Sequence, residues 1–321
     1  MRNCPICAHA SAEPWLLVPD IVTSSPSRGA YELFRCRDCD YGFVDPRPTP
    51  EEARGFYPDN YYTHAPNGRP AGGRLPFPDR LLHNLAWRFD RSVPMTDALG
   101  RYCAGRPRVC DIGCGSGKLL GLMRDAGADV VGVEIDEKAR NTARSLGLEV
   151  YAGTAEQLPP EVEPGTFDLV WMCHVLEHCI DPVAGLASVS GLLKPSGRLV
   201  VEVPNNECLG MQRSGIAWRW LDVPRHLNFF TRKSLTGVCR LAGLEVETVE
   251  FSGYGRQFHP VWAAAEERLR LAFAAANAAA STGASTRGVG APSRWSLLLA
   301  TAGAQAGRKY DSVRVTVRRP A

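Results

Sequence analysis

Apolar residues along this chain cluster in short runs, and the stretches between them carry helical spacing. The runs cover 109–112, 129–134, 149–153, 167–173, 197–205, 244–249 and 313–317. Short apolar or β-branched runs bounded by turn residues read as strands buried inside a sheet. Lys118-Leu119-Leu120-Gly121-Leu122-Met123 starts a helix after the first run, and His174-Val175-Leu176-Glu177-His178 opens another after the fourth. A further helix stops at Gly243, and one more begins over 79–87. Strands alternating with helices predict an α/β fold with a doubly wound parallel sheet. The ligand of such a sheet sits beyond the carboxyl ends of its strands.

The first run ends in Asp111-Ile112-Gly113-Cys114-Gly115-Ser116-Gly117. Glycines at alternate positions let a ligand approach the backbone, and the helix that follows offers free N–H groups. A pyrophosphate site would read G-x-G-x-x-G. Here an acid precedes the glycines, which suits a ligand with an amino group and no pyrophosphate. Glu134 ends the second run, and a carboxylate about 20 residues on can accept both hydroxyls of a ribose.

The D-x-G-x-G-x-G run resembles motif I of the class I S-adenosylmethionine (SAM) dependent methyltransferases, and the resemblance continues in order over roughly two thirds of the chain. It implies a Rossmann-like, seven-stranded methyltransferase sheet. SAM would then lie on Asp111, Gly113, Gly115, Gly117, Glu134 and Ile135. Its adenine would be flanked by Ala155 and Glu156, in a loop that begins with Thr154 where the family often has Asp. Cys173 and His174 would border its methionine portion.

The family places acceptor contacts after the fifth strand, and a similar P-x-H-x-x-x-F-[ST] run occurs in relatives. Here Trp218 to Thr231 occupies that place. Methyl transfer from a sulfonium is an in-line displacement, so the site must align the reactants and exclude water. A hydroxyl acceptor also loses a proton, and His226 is the candidate general base. Its other reading is a backbone hydrogen bond that orders the loop, with Thr231 capping the next helix. His174 to His178 also matches H-x-x-E-H, the inverted zinc-peptidase pattern. Its position after the fourth strand, where similar methyltransferases carry V-L-E-H, argues instead that Glu177 and His178 anchor a helix.

Cys4-Pro5-Ile6-Cys7 and Cys36-Arg37-Asp38-Cys39 form two C-x-x-C knuckles. Two intervening residues let paired thiolates face one tetrahedral ion, so Cys4, Cys7, Cys36 and Cys39 predict a closed structural zinc ribbon. Disulfides or a redox C-x-x-C are the alternatives. Ala8 and Asp40 stand where such knuckles usually continue with Gly. Asp45-Pro46-Arg47-Pro48 and the aromatics Phe56, Tyr57, Tyr61 and Tyr62 follow. In this the chain looks like bacterial methyltransferases of polysaccharide and natural-product tailoring that carry an N-terminal four-cysteine ribbon. The aromatics are expected to pack the ribbon on the core rather than stack on substrate. Cys103, Cys110, Cys114, Cys173, Cys179, Cys208 and Cys239 read as small buried hydrophobes.

The chain has 321 residues, 45% hydrophobic and 22% charged, which suits one large core plus a small module. A net charge of +3 is too small to argue for nucleic acid. No leader is visible and no apolar run approaches the roughly 20 residues of a membrane span, so the cytoplasm is the expected compartment. The divisions expected are 1–64 for the ribbon and aromatic linker, with a flexible part over 66–73; 79–259 for the SAM-binding core; 260–307 for a helical insertion; and 308–321 for the last strand. The insertion reads as helices over 263–280 and 295–302 around a loop at 281–292, and suits a lid, a dimer face or a lipid-surface helix. The function expected is O-methylation of a small molecule or glycan, or C-methylation of a sugar. A nucleic-acid or protein methyltransferase and a non-catalytic SAM-binding or zinc scaffold are the alternatives.

Overall fold

A computed structural model describes residues 2–21, 29–57, 76–92, 97–102, 105–279 and 293–320. The calls on Tyr61, Tyr62, the 66–73 linker, Cys103 and the 281–292 loop lie outside these residues. The strands are β1 (Ala12–Pro19), β2 (Ala30–Cys36), β3 (Gly42–Val44), β4 (Arg108–Ile112), β5 (Asp129–Glu134), β6 (Val150–Ala152), β7 (Phe167–Cys173), β8 (Leu193–Pro204), β9 (Asn228–Phe229), β10 (Glu245–Ser252) and β11 (Ser312–Arg318). The helices are α1 (Pro50–Arg54), α2 (Phe77–Phe89), α3 (Asp97–Tyr102), α4 (Lys118–Asp125), α5 (Glu137–Ser145), α6 (Pro182–Ser190), α7 (Leu209–Ser214), α8 (Arg232–Leu241), α9 (Pro260–Ala279), α10 (Arg294–Ala302) and α11 (Ala306–Lys309).

Seven strands form the central sheet in the order β10-β11-β8-β7-β4-β5-β6. β4 pairs in parallel with both β5 and β7, and β7 in parallel with β8, so the middle is doubly wound as expected. β11 runs antiparallel to both its neighbours, which makes the sheet mixed rather than wholly parallel. Val109, Cys110, Leu169, Val170, Leu199 and Val201 are buried in the inner strands. Helices cover both faces of such strands, which is why they read as unbroken apolar runs. The cysteines at 110, 114, 179, 208 and 239 are buried and Cys173 is half-buried.

Helix starts follow side-chain chemistry. Asp136 accepts from the Ala139 N–H at the head of α5, and Asp181 from Val183 and Ala184 at the head of α6. Thr231 and Ser234 cap α8 reciprocally, the cap expected of Thr231.

Two local expectations are corrected. His174 to His178 does not open a helix. His174 has φ 56, Leu176–His178 makes a single 3-10 turn, and α6 starts only at Pro182. A left-handed residue interrupts the helical path, and the residue before a proline is pushed out of the α region. The fifth strand of the sequence reading begins at Leu193, taking in the 194–197 turn as an irregularity in its pairing with β7.

The ribbon strands do not stand alone. β1, β2 and β3 form an antiparallel sheet whose fourth strand is β9, contributed by the 218–231 loop. Phe43 lies opposite Asn228 and Gly42 opposite Phe229. A Cβ on Gly42 would stand 2.9 Å from the Phe229 Cβ, so glycine permits this close pairing. Tyr41, Phe43 and Phe56 are buried, as expected for packing, whereas Tyr57 is exposed with its hydroxyl 3.0 Å from His178 Nδ1.

Candidate active site

At the carboxyl ends of β4 and β5 the two acids of the sequence motif meet. Asp111 is buried, with no hydrogen-bond partner among the described residues. Burial first, and the nearby Glu134 second, push its carboxyl up to about 8. A buried acid without a donor is an incomplete site for a cation. Glu134 is fixed by its neighbours, accepting from the Gly115 N–H at 2.8 Å and the Asp136 N–H at 2.9 Å. Gly113, Gly115 and Gly117 all have positive φ. A Cβ on Gly113 would sit 2.3 Å from Val175 and one on Gly117 2.5 Å from Leu148, so these two close the turn on the core. A Cβ on Gly115 would meet nothing within 4 Å, so the backbone is open to a ligand there. This partnerless acid, held carboxylate and open glycine fit an aminoacyl nucleoside.

Ile135, next to Glu134, is exposed. Ala155 is buried in the core, and Glu156 accepts from the Ile180 and Asp181 N–H groups. Glu156 therefore ties the loop after β6 to the turn before α6.

Cys173 and His174 lie at the end of β7, beside a group of histidines around Glu177. Glu177 is 1% exposed. Burial opposes its charge, yet the hydrogen bond from His174 and the surrounding histidines hold its carboxyl below the ordinary range. His174 Nδ1 donates to Glu177 Oε1 at 3.1 Å, and its ring stacks on Trp220 at 4.4 Å and 15°. His174 Nε2 is buried, makes no hydrogen bond and lies 3.9 Å from Glu202 Oε1. His226 Nδ1 donates to the Trp220 carbonyl at 2.8 Å, and its Nε2 lies 3.9 Å from Glu177. Burial and His178 push its pKa down to about 4, so the ring is neutral near pH 7. Trp220 meets Trp262 edge to face at 5.4 Å, and Trp262 with Trp218 and Arg294 walls a cavity of about 380 Å³.

Residues 78–249 match the family model of a methyltransferase domain. The chain is 32% identical over 214 residues to the ubiquinone biosynthesis O-methyltransferase of Ruegeria pomeroyi, covering 62% of this chain and 82% of that one. It is 35% identical over the same length to the enzyme of that name from Cereibacter sphaeroides, again covering 62% and 82%. The chain belongs to the SAM-dependent methyltransferases. It is also similar to the crystal structure of a SAM-dependent methyltransferase from Archaeoglobus fulgidus, with TM-score 0.46, 18% identity, and 75% of this chain and 94% of that chain covered.

In this methyltransferase the four N-terminal thiols converge, as the knuckle spacing requires. Cys4 Sγ lies 3.6 Å from Cys39 Sγ, and Cys7 Sγ 3.6 Å from Cys36 Sγ. All four sulfurs are within 4.8 Å of one another. That set fits a tetrahedral ion. Ala8 and Asp40 adopt φ 61 and 59, the left-handed conformation that glycine takes freely.

No sequence signal marked the links between the ribbon, the 218–231 loop and Glu177. Asn228 Nδ2 reaches the carbonyls of Leu176, Glu177 and Cys179, and the Leu227 N–H donates to the Glu177 carbonyl at 2.8 Å. Tyr41 donates its hydroxyl hydrogen to Asn228. These partners lie about fifty residues or more apart in sequence, beyond the reach of any local pattern.

Proposed function

We propose that this SAM-dependent methyltransferase O-methylates a hydroxyl group of a small molecule or sugar. The observation that carries the reading is the Glu177-oriented imidazole of His174 at the end of β7. The names of the relatives, ubiquinone biosynthesis O-methyltransferases, support a small hydroxylated acceptor. SAM supplies the electrophilic methyl group. Asp111 would take its amino group, Glu134 its ribose hydroxyls, and the open backbone at Gly115 would let it lie close.

His174 then removes the acceptor's proton. Its Nδ1 hydrogen is committed to Glu177, which leaves the Nε2 lone pair without a hydrogen bond, 3.9 Å from Glu202, and Trp220 fixes the ring plane. A carboxylate that orients an imidazole in this way is the common arrangement of a general base. His226 takes the loop-ordering role, because its Nδ1 is tied to Trp220 and its Nε2 is turned to Glu177. Cys4, Cys7, Cys36 and Cys39 would hold a structural zinc ion. The test is transfer of labelled methyl from SAM to a panel of phenols and sugars. His174→Asn should lower kcat by about a hundredfold or more, with a much smaller effect on SAM affinity. Undiminished turnover would remove His174 from the mechanism.

A further inference from the structure

His178 and His226 approach each other edge to face, with ring centroids 4.6 Å apart, and Glu177 lies against both. One ligand-type atom from each of Glu177, His178 and His226 falls within 4.8 Å of the other two. The tautomers are set by the partners. A carbonyl can only accept, so the ring nitrogen facing it carries the hydrogen. His226 Nδ1 faces the Trp220 carbonyl at 2.8 Å, and His178 Nδ1 faces both the Arg225 carbonyl and the Tyr57 hydroxyl at 3.0 Å, an oxygen that can accept from the same N–H. Each ring therefore keeps a bare lone pair on Nε2.

Glu177 repeats the arrangement with a carboxylate. Oε1 accepts from His174, while Oε2 is buried with no partner. In a group that is 1% exposed, such an oxygen is costly unless something occupies it. Two imidazoles whose far nitrogens are held by backbone carbonyls, and a carboxylate held by a third imidazole, are the surroundings that orient metal ligands.

We propose that Glu177, His178 and His226 form a second metal site, separate from the ribbon, for a divalent transition ion such as zinc. Two imidazoles and one carboxylate favour an ion of that class over magnesium or calcium. Three protein ligands leave a coordination position open. The set is not the metal pattern that H-x-x-E-H would form, which the sequence context already argued against. His174 and His178 do not share a helix face, and the second imidazole comes from His226, 48 positions beyond His178 in the acceptor loop. The proposal does not depend on which acceptor is methylated.

The test is metal content of the full chain after saturation with zinc and dialysis into zinc-free buffer. The site predicts about two zinc ions per chain, one held by the ribbon thiolates. His178→Ala, a change at a half-buried position, should leave one and weaken zinc binding at the second site by more than about a hundredfold. Cys36→Ser should abolish the ribbon ion and retain, more weakly because the loop carrying His226 loosens, the one that His178→Ala removes. With cobalt in place of zinc, His178→Ala should keep the thiolate charge-transfer band and lose the visible bands of the nitrogen and oxygen site. A wild-type chain with no ion beyond the ribbon's, or a His178→Ala chain that keeps two, would overturn the proposal.

Discussion

Tyr41, two residues after the last ribbon cysteine, donates its hydroxyl hydrogen to the side-chain carbonyl of Asn228, two residues after His226. Arg47 donates to the same hydroxyl oxygen at 2.7 Å. The Asn228 amide in turn reaches the backbone of the Glu177 turn. The ribbon therefore holds the acceptor loop against the histidine group. Tyr41→Phe should cost about 1 kcal/mol of stability and leave a buried oxygen on Asn228 unpaired. The kinetic expectation is a raised KM for the acceptor with SAM affinity within about twofold of wild type. Equal changes for both ligands would contradict the link.

Removal of the ribbon ion should act along the same path. β9 pairs only with β3 among the described residues. Cys36→Ser should therefore speed amide hydrogen exchange over 226–230 and at the Leu227 N–H bonded to Glu177, while β4 and β5 keep their protection. Unchanged exchange over 226–230 would show that the loop is held without the ribbon.

Two glycines of one turn should fail in different ways. Gly113→Ala drives a Cβ into Val175 at positive φ and should cost about 2–4 kcal/mol in thermal or denaturant unfolding. Gly115→Ala meets open space and should cost about 1–2 kcal/mol, for its φ of 53 alone. Its larger effect should be on the cofactor, with S-adenosylhomocysteine affinity reduced at least about tenfold. Equal affinity for wild type and Gly115→Ala would place the cofactor elsewhere.

The central strands were legible because burial on both faces leaves an apolar run, and the glycine turn because positive φ demands glycine. The knuckle glycines were the reverse case. Ala8 and Asp40 take the left-handed conformation that glycine usually fills, and their identities gave no sign of it. The helix expected at His174 failed because a tertiary setting holds that residue at φ 56, which side-chain periodicity does not encode. Glu177, His178 and His226 came together through β9 pairing with the ribbon, a contact between segments with no shared pattern.

The knuckle residues give a stability prediction of opposite strengths. Ala8→Gly should raise stability by about 0.5–1 kcal/mol, because relief of the left-handed alanine exceeds the entropy cost of glycine. Asp40→Gly should change it by less than about 0.5 kcal/mol, since Asp tolerates that conformation and Asp40 lies 3.6 Å from Lys233. Thermal unfolding separates the two.

Asp111 sets a pH dependence. Its folded pKa, pushed up to about 8, exceeds the unfolded value of about 3.9. The native state then binds the proton more tightly, so this group's contribution is complete below about pH 4 and is lost as pH rises to about 8. Stability of the cofactor-free protein should fall across that window by this term, and Asp111→Asn should flatten the slope. A cation bound at Asp111 favours the ionised form, so cofactor uptake at pH 7 should release a proton. Heats measured in buffers of different ionisation enthalpy report that release, and Asp111→Asn should abolish it.

Calorimetric titration of folded, cofactor-stripped protein with S-adenosylhomocysteine is the most direct measurement. Pairing of the nucleoside with Asp111 and Glu134 predicts one molecule bound per chain, with affinity at least about tenfold weaker in both Asp111→Asn and Glu134→Gln. Saturable binding that neither substitution alters, or no binding by folded wild type, would contradict it.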